Sequence, residues 1–339
     1  MDTHERKPYL DALRIPACLG VIYNHVAGRS MRLYEGASGA AALWLFFVSK
    51  AAVALFLMIS GALLLGRTDT YARSWKRVLR MAAALLVCSL LYYAVRLLQS
   101  GAPFLPAEFA ADVWHYGITG SYWYLYLYLG LLVMMPLLQR LAAGMTDADM
   151  RYLLLWSVLI GGGMLLVTHF VPEAAFHGNF ALCLLPVCVG LPFLGRYLAG
   201  RAPGRAVLWA SAAAALLVPA IPAAACFLTK GAPFGLFDNY DILTATVPAA
   251  GLFVLVKAFY EKRRMREKTG DLLCRVGRLT FGVYLLSDLL IELLEPLRAA
   301  LAAALSDNLA GALFVAVIFA AGALFTFLLR LIPGVKRIL

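Results

Sequence analysis

The chain has 339 residues, 63% of them hydrophobic and 14% charged, with a mean hydropathy of +0.80 and a formal net charge of +11. A water-soluble chain of this length would carry far more apolar surface than one core could hide, which excludes an ordinary soluble domain. The positive charge does not indicate nucleic acid, because the basic residues lie in short joins between apolar runs rather than on a separate basic domain.

Lipid is therefore the solvent, and in lipid only helices or a closed barrel satisfy every backbone polar group. Unbroken apolar runs such as Ala51 to Leu65 and Met81 to Leu98 favour helices, since barrel strands alternate over about 10 residues. The sequence predicts an all-α polytopic membrane protein, a single domain over residues 1–339. About ten transmembrane helices are expected, at residues 9–28, 41–65, 78–98, 121–139, 152–171, 180–195, 206–228, 241–260, 278–296 and 309–331. The first reads as a retained helix rather than a cleaved leader, because many more spans follow it. The sixth is short and holds Pro186 and Pro192, so a broken or tilted helix is expected; Pro219, Pro222 and Pro248 are expected to kink the next two.

Cytoplasmic loops retain Lys and Arg during insertion. With both termini inside, 23 of the 30 Lys and Arg fall on one side, and the opposite loops hold only Arg29, Arg32, Lys230 and Arg298. The sequence thus predicts a membrane protein with both termini in the cytoplasm. Arg6, Lys7, Arg140, Arg151, Arg196 and the ends near Arg330 all read as inner cations, and the basic stretch Lys257 to Arg278 reads as a soluble loop meeting anionic headgroups. The six cysteines (Cys18, Cys88, Cys183, Cys188, Cys226, Cys274) form no CxxC pair and read as packing residues, so neither a disulfide framework nor a metal site is indicated.

Ionisable groups within lipid are costly unless paired or hydrated, which makes them pointers to function. On the first span Arg14 and His25 are eleven residues apart. On a helix that places them about 20° apart in azimuth and about 16 Å apart along the axis, with Asp11 one turn before Arg14 and able to pair with it. Two readings are open: Arg14 snorkels and His25 sits at the outer headgroups, or His25 takes a proton during chemistry near neutral pH. Lys50 on the second span either pairs with an acid of the ninth or snorkels outward. At the start of the third span Arg77 and Arg80 make a fork that suits phosphate oxygens, although on this feature alone ordinary inner-face anchoring is the better explanation. The run Tyr122, Trp123, Tyr124, Tyr126, Tyr128 fits an interfacial aromatic belt, and its alternation sends the rings around the helix rather than into one pocket. The ninth span carries Tyr284, Asp288, Glu292 and Glu295 as a polar stripe, with Asp288 near mid-membrane.

Together these residues resemble the acyltransferase-3 family of bacterial membrane proteins. YLDALRIPACLGVIYNH (Tyr9 to His25) looks like its first helix, with Arg14 and His25 in the family's spacing. FFVSKAAVALFLMISGALLLGR is similar to its Phe-rich second helix ending in Ser60 and Gly61, and KRVLR supplies the Arg-x-x-Arg element. YWYLYLYLG with Pro136 looks like the family's Trp-Phe-Leu helix, with Tyr124 in place of Phe. LTFGVYLLSDLL resembles the late Phe-Gly-x-Tyr-Leu-x-His segment, with Ser287 where a His is common and Asp288 beside it in a position to substitute.

The resemblance implies transfer of an acyl group, acetyl in the first instance, from cytoplasmic acetyl-CoA or another acyl-CoA. The acceptor would be a hydroxyl of a cell-surface glycan, a lipid-linked saccharide or a related molecule. It implies His25, Arg14 and Asp288 as catalytic candidates, Arg77, Arg80 and Arg14 as donor-binding candidates, and Ser60, Trp123, Tyr284, Ser287 and Glu292 as substrate-binding candidates. Membrane lipid is the further partner, and no metal is called for. Spacing alone equally fits a transporter or flippase without covalent chemistry, for which kinked helices and mid-membrane carboxylates are also expected. A structural subunit of a glycan-synthesis complex is the third possibility.

Overall fold

The computed structural model describes residues 7–30, 33–115, 117–174, 186–262 and 267–338. Among the described residues 83% are helical and none is in a strand. Its helices are α1 (Pro8–Ser30), α2 (Gly36–Ser49), α3 (Ala51–Leu64), α4 (Tyr71–Ser100), α5 (Pro106–Trp114), α6 (Trp123–Gly144), α7 (Asp147–Leu154) and α8 (Gly162–Phe170), with α7 and α8 joined by a π-helical turn over Leu155–Gly161. There follow α9 (Val187–Ala199), α10 (Arg205–Leu217), α11 (Ala220–Leu228), α12 (Leu243–Lys262), α13 (Glu267–Gly277), α14 (Thr280–Leu293), α15 (Glu295–Ala304) and α16 (Asp307–Leu329).

Each expected span coincides with one of these helices or a pair of them. Among the described residues, seven runs are long and apolar enough to cross a membrane: Gly36–Leu64, Tyr71–Ser100, Gly120–Gly144, Asp147–Phe170, Arg205–Leu228, Leu243–Lys262 and Asp307–Leu329. The other three fall short for identifiable reasons. Helix α1 has 23 residues but carries Asp11, Arg14 and Arg29; α9 has 13 residues and α14 has 14. Residues 180–185 of the expected sixth span, with Cys183, lie outside the described residues, as do Arg6, Arg32 and positions 263–266 of the basic stretch.

The differences from expectation have local causes. Helix α4 begins seven residues early because the Thr70 side chain caps it, accepting from the Arg73 amide at 3.3 Å, and its first two turns are too basic to register as a span. Pro186 stands just before α9 and Pro192 within it, and Pro219 separates α10 from α11. Lys257 belongs to no loop: it is buried in α12, donates to the Leu198 carbonyl at 3.2 Å and to the Arg201 carbonyl, and lies 3.4 Å from Glu261. It satisfies carbonyls at the end of α9, where a cation is favoured. Of the described cysteines, Cys18, Cys88, Cys226 and Cys274 are buried and Cys188 is half-buried, as packing residues would be.

Burial follows lipid rather than water. Leu98 is 86% exposed and Trp209 78%, whereas α14 has 11 of its 14 residues buried, Asp288 among them. So α14 runs through the middle of the bundle, shielded by neighbours including α1, α4 and α16. Helices α3 and α9 cross with their backbones in contact. A Cβ on Gly61 would overlap the Pro192 carbonyl, and one on Gly195 would overlap the Met58 carbonyl. Small residues at such a crossing let the helices approach closely enough for dispersion to hold them without a hydrophobic drive.

The turn between α3 and α4 is fastened by Asp69, whose side chain is 1% exposed. Its carboxylate receives Arg77 Nη1 at 2.5 Å, Gln139 Nε2 at 2.9 Å and Arg73 Nη1 at 3.4 Å, and its amide donates to Gln139 Oε1 at 3.1 Å. Burial alone would raise this carboxyl; the hydrogen bonds from Arg77 and Gln139 and the guanidinium charge outweigh it and hold it at about 2. A carboxyl depressed on folding stabilises above its unfolded value near pH 4, and loses that stabilisation as pH falls toward 2. Asp69→Asn is therefore expected to lower stability at pH 7 by about 2.5 kcal/mol. In detergent melts across pH, the gap between the two proteins should close below pH 4; a constant gap down to pH 2 would refute the assignment.

Candidate active site

Two cavities lie back to back in the bundle. The first, of about 500 Å³, is lined by Arg14, Arg77, Arg80, Arg278 and Arg330, with Ser60 deeper in. These five arginines come from the N-terminal part of α1, the start of α4, the join before α14 and the end of α16, which the fold gathers at one end of the bundle. Arg14 Nη1 pairs with Asp11 Oδ1 at 2.6 Å, as the one-turn spacing predicts, and Arg77 is held by Asp69. Arg80, Arg278 and Arg330 have no carboxylate partner among the described residues; Arg80 Nε donates to the Ile338 carbonyl at 3.2 Å and Arg330 Nη1 to the Arg278 carbonyl at 3.4 Å. Three guanidinium charges are thus left for an anion.

The second cavity, of about 560 Å³, is lined by His25, Arg29, Lys50, Trp123, Asp238 and Tyr240 among others. His25 lies eleven residues along α1 from Arg14, so one helix is a wall of both cavities. Asp288, Arg29, Lys50 and Asp238 all act electrostatically on the imidazole. Lys50 stands at the junction of α2 and α3, in the middle of their combined run and not at its outer end. It pairs with Asp238 rather than with an acid of the ninth span, donates to Asn24 Oδ1 at 3.1 Å, and lies 4.7 Å over the Phe46 ring. Asn24 Nδ2 in turn donates to Ser49 Oγ at 3.1 Å. The Trp123 ring lies 4.9 Å from that of Tyr240, at 32°.

Phe56, Tyr124 and Tyr284 line both cavities. Tyr124 is 6.1 Å from Phe56, edge-on to Tyr284 at 5.9 Å, and stacked on Tyr128 at 5.8 Å. Tyr284 is fixed by donating to the Ser121 carbonyl at 2.5 Å. The aromatic run is therefore interior rather than a belt: Tyr122 is 1% exposed and donates to the Leu285 carbonyl at 3.0 Å, and Tyr126 donates to the Val113 carbonyl. Its rings do point around the helix, Trp123 toward the histidine cavity and Tyr128 toward the arginine cavity.

Other candidates fall elsewhere. Asp288 is fully buried and lines neither cavity; it pairs with Arg29 Nη2 at 2.8 Å and accepts from Thr119 and, at 3.1 Å, from Ser121. It stands behind the wall of the histidine cavity, bonded to two of the residues that line it, Arg29 and Ser121. Ser287 is likewise buried, with Oγ donating to the Tyr284 carbonyl at 2.9 Å, and no imidazole-like role is open to it. Glu292 is exposed near the end of α14 and lines neither cavity, so it leaves the substrate-binding set; Glu295 pairs with Arg298 at 2.7 Å. Ser60 faces the arginine cavity, donating to the Phe56 carbonyl at 2.9 Å and lying 3.1 Å from the Tyr128 hydroxyl.

Comparison with curated proteins and with solved structures gives no match. The family model described as an acyltransferase domain matches residues 7–331 of the 339. It takes in every helix carrying the two cavities, and the chain therefore belongs to the acyltransferase-3 family of membrane acyltransferases.

Proposed function

We propose that this protein transfers an acyl group, acetyl in the first instance, from acyl-CoA to a hydroxyl of a glycan, lipid-linked saccharide or similar acceptor, in the bacterial cytoplasmic membrane. The observation that carries the reading is the pair of neighbouring cavities, cationic on one side and holding His25 on the other, which share three aromatic lining residues. The arginine cavity faces the cytoplasm in the N-in, C-in arrangement that the distribution of Lys and Arg favours. Donor phosphates meet Arg80, Arg278 and Arg330, while Arg14 and Arg77, already committed to Asp11 and Asp69, shape the cavity. The narrow pantetheine arm passes between the aromatic rings and delivers the thioester to His25.

There the acceptor hydroxyl oxygen attacks the thioester carbonyl and His25 takes its proton. The carbon–sulfur bond breaks, and the thiolate leaves as free thiol with that proton. Arg29, paired with Asp288, and Lys50, paired with Asp238, line the same cavity and are the cations we assign to the oxyanion of the addition step, at the cost of loosening those pairs. The acceptor approaches from the far cavity, where the Trp123 and Tyr240 rings supply a face for a sugar.

Labelled acetyl-CoA supplied to inside-out membrane vesicles tests the reading. Acyl transfer to vesicle material with release of CoA thiol is expected, and movement of label without thiol release would establish a transporter instead. Arg278→Ala and Arg330→Ala are each expected to raise the KM for acyl-CoA by about 5–10-fold with kcat little changed, as removal of uniform binding does. An unchanged KM in both would remove the phosphates from this cavity.

A further inference from the structure

Two of the three residues between the cavities are held in place. Tyr284 is bonded to the Ser121 carbonyl, and Tyr124 is stacked on Tyr128 and edge-on to Tyr284. Phe56 has no polar atom to fasten it. Its ring is half-buried, it packs against both apolar clusters of the bundle, and its sole ring contact within the partition is with Tyr124 at 6.1 Å. Its backbone, by contrast, is fixed by the Ser60 hydroxyl one turn on. Of the three residues that line both cavities, Phe56 is thus the one whose side chain is held by apolar packing alone.

We propose that Phe56 sets the length of acyl chain the protein accepts; this rests on the acyl-CoA reading above. A thioester that reaches His25 leaves its acyl chain beside the partition, where each further methylene must find room against the Phe56 ring. An apolar pocket that is one methylene too small discriminates by about 10-fold or more, because the added carbon meets close-packed atoms rather than open space. Acetyl donors fit, and each longer chain is penalised until the ring is removed. Polar groups such as Tyr284 do not supply this selection, since they fasten the partition without bounding it on the apolar side.

The test compares acetyl-, propionyl-, butyryl- and hexanoyl-CoA with inside-out vesicles containing the protein, Phe56→Ala or Phe56→Trp, reading CoA thiol release above vesicles lacking the protein. The unsubstituted protein is expected to fall about 10-fold in kcat/KM from acetyl to butyryl. Phe56→Ala should flatten or reverse that order, and Phe56→Trp should steepen it. Equal scaling of all four donors in both variants overturns the proposal while leaving acyl transfer intact. Failure of every donor with the unsubstituted protein overturns the acyl-CoA reading instead. The aperture itself is then read by labelling Val53→Cys, a position lining only the histidine cavity, with an anionic methanethiosulfonate added outside sealed inside-out vesicles. Phe56→Ala should speed that labelling at least 10-fold, and an equal rate with Phe56 present sinks the aperture as well.

Discussion

His25→Ala is expected to lower acyl transfer by about 10²–10⁴-fold, the range lost when a positioned general base is removed. Binding of acyl-CoA should remain, because the groups assigned to its phosphates lie in the other cavity, on the far side of the aromatic partition. The substitution removes a half-buried ring from a cavity wall, so membrane insertion and thermal stability should change little. A purely structural imidazole would give the opposite pattern, with stability lost and the surviving folded fraction fully active. Measurement of transfer and of CoA binding on the same purified protein separates the two, and transfer above a tenth of the starting rate would dismiss the histidine.

The second large effect concerns the crossing of α3 and α9. On helix propensity alone, replacing Gly61 or Gly195 by Ala would stabilise by about 1 kcal/mol. The crossing reverses the sign, because the added methyl at either position meets a backbone carbonyl, which cannot rotate away as a side-chain tip does. Overpacking of this kind costs about 1–3 kcal/mol and more where backbone must move. We expect a loss of about 3 kcal/mol for each, seen as a lower melting temperature and lower yield in membranes. The double variant should lose less than the sum, since helices pushed apart by one methyl have room for the other. Stabilisation by either substitution would show that the helices are free to separate. Gly61 of the Ser-Gly pair is thus accounted for by packing, and Ser60 by its bond to the carbonyl of Phe56.

Much of the site was legible because single helices carry it. Arg14, Asp11 and His25 sit on one helix, where spacing alone fixes relative position, and Arg77 and Arg80 start another. That Arg278 and Arg330 line the same cavity as Arg14 could not be read, because positive-inside sorting explains any basic residue at a span end, and no local pattern says that the start of α14 lies beside the end of α16. Lys50 was placed at a span end because the apolar run begins at 41, whereas the helix starts at Gly36 and makes position 50 central. Its partner Asp238 lies in a loop almost 190 residues away, beyond the reach of any periodicity. The polar stripe of the ninth span misled for a related reason. Four-residue spacing does align Asp288 with Glu292, but α14 ends at Leu293, so the first is enclosed by Arg29, Thr119 and Ser121 and the second has left the bundle.

Because α1 forms a wall of both cavities, it works as a ruler. Eleven residues of unbroken helix hold the cationic mouth and the imidazole at a set separation of about 16 Å. A carrier whose anionic head is joined directly to its activated acyl group cannot occupy both marks at once, however well either end fits. On the acyl-CoA reading proposed above, a donor with a long slender tether between head and thioester is the kind that spans such an interval.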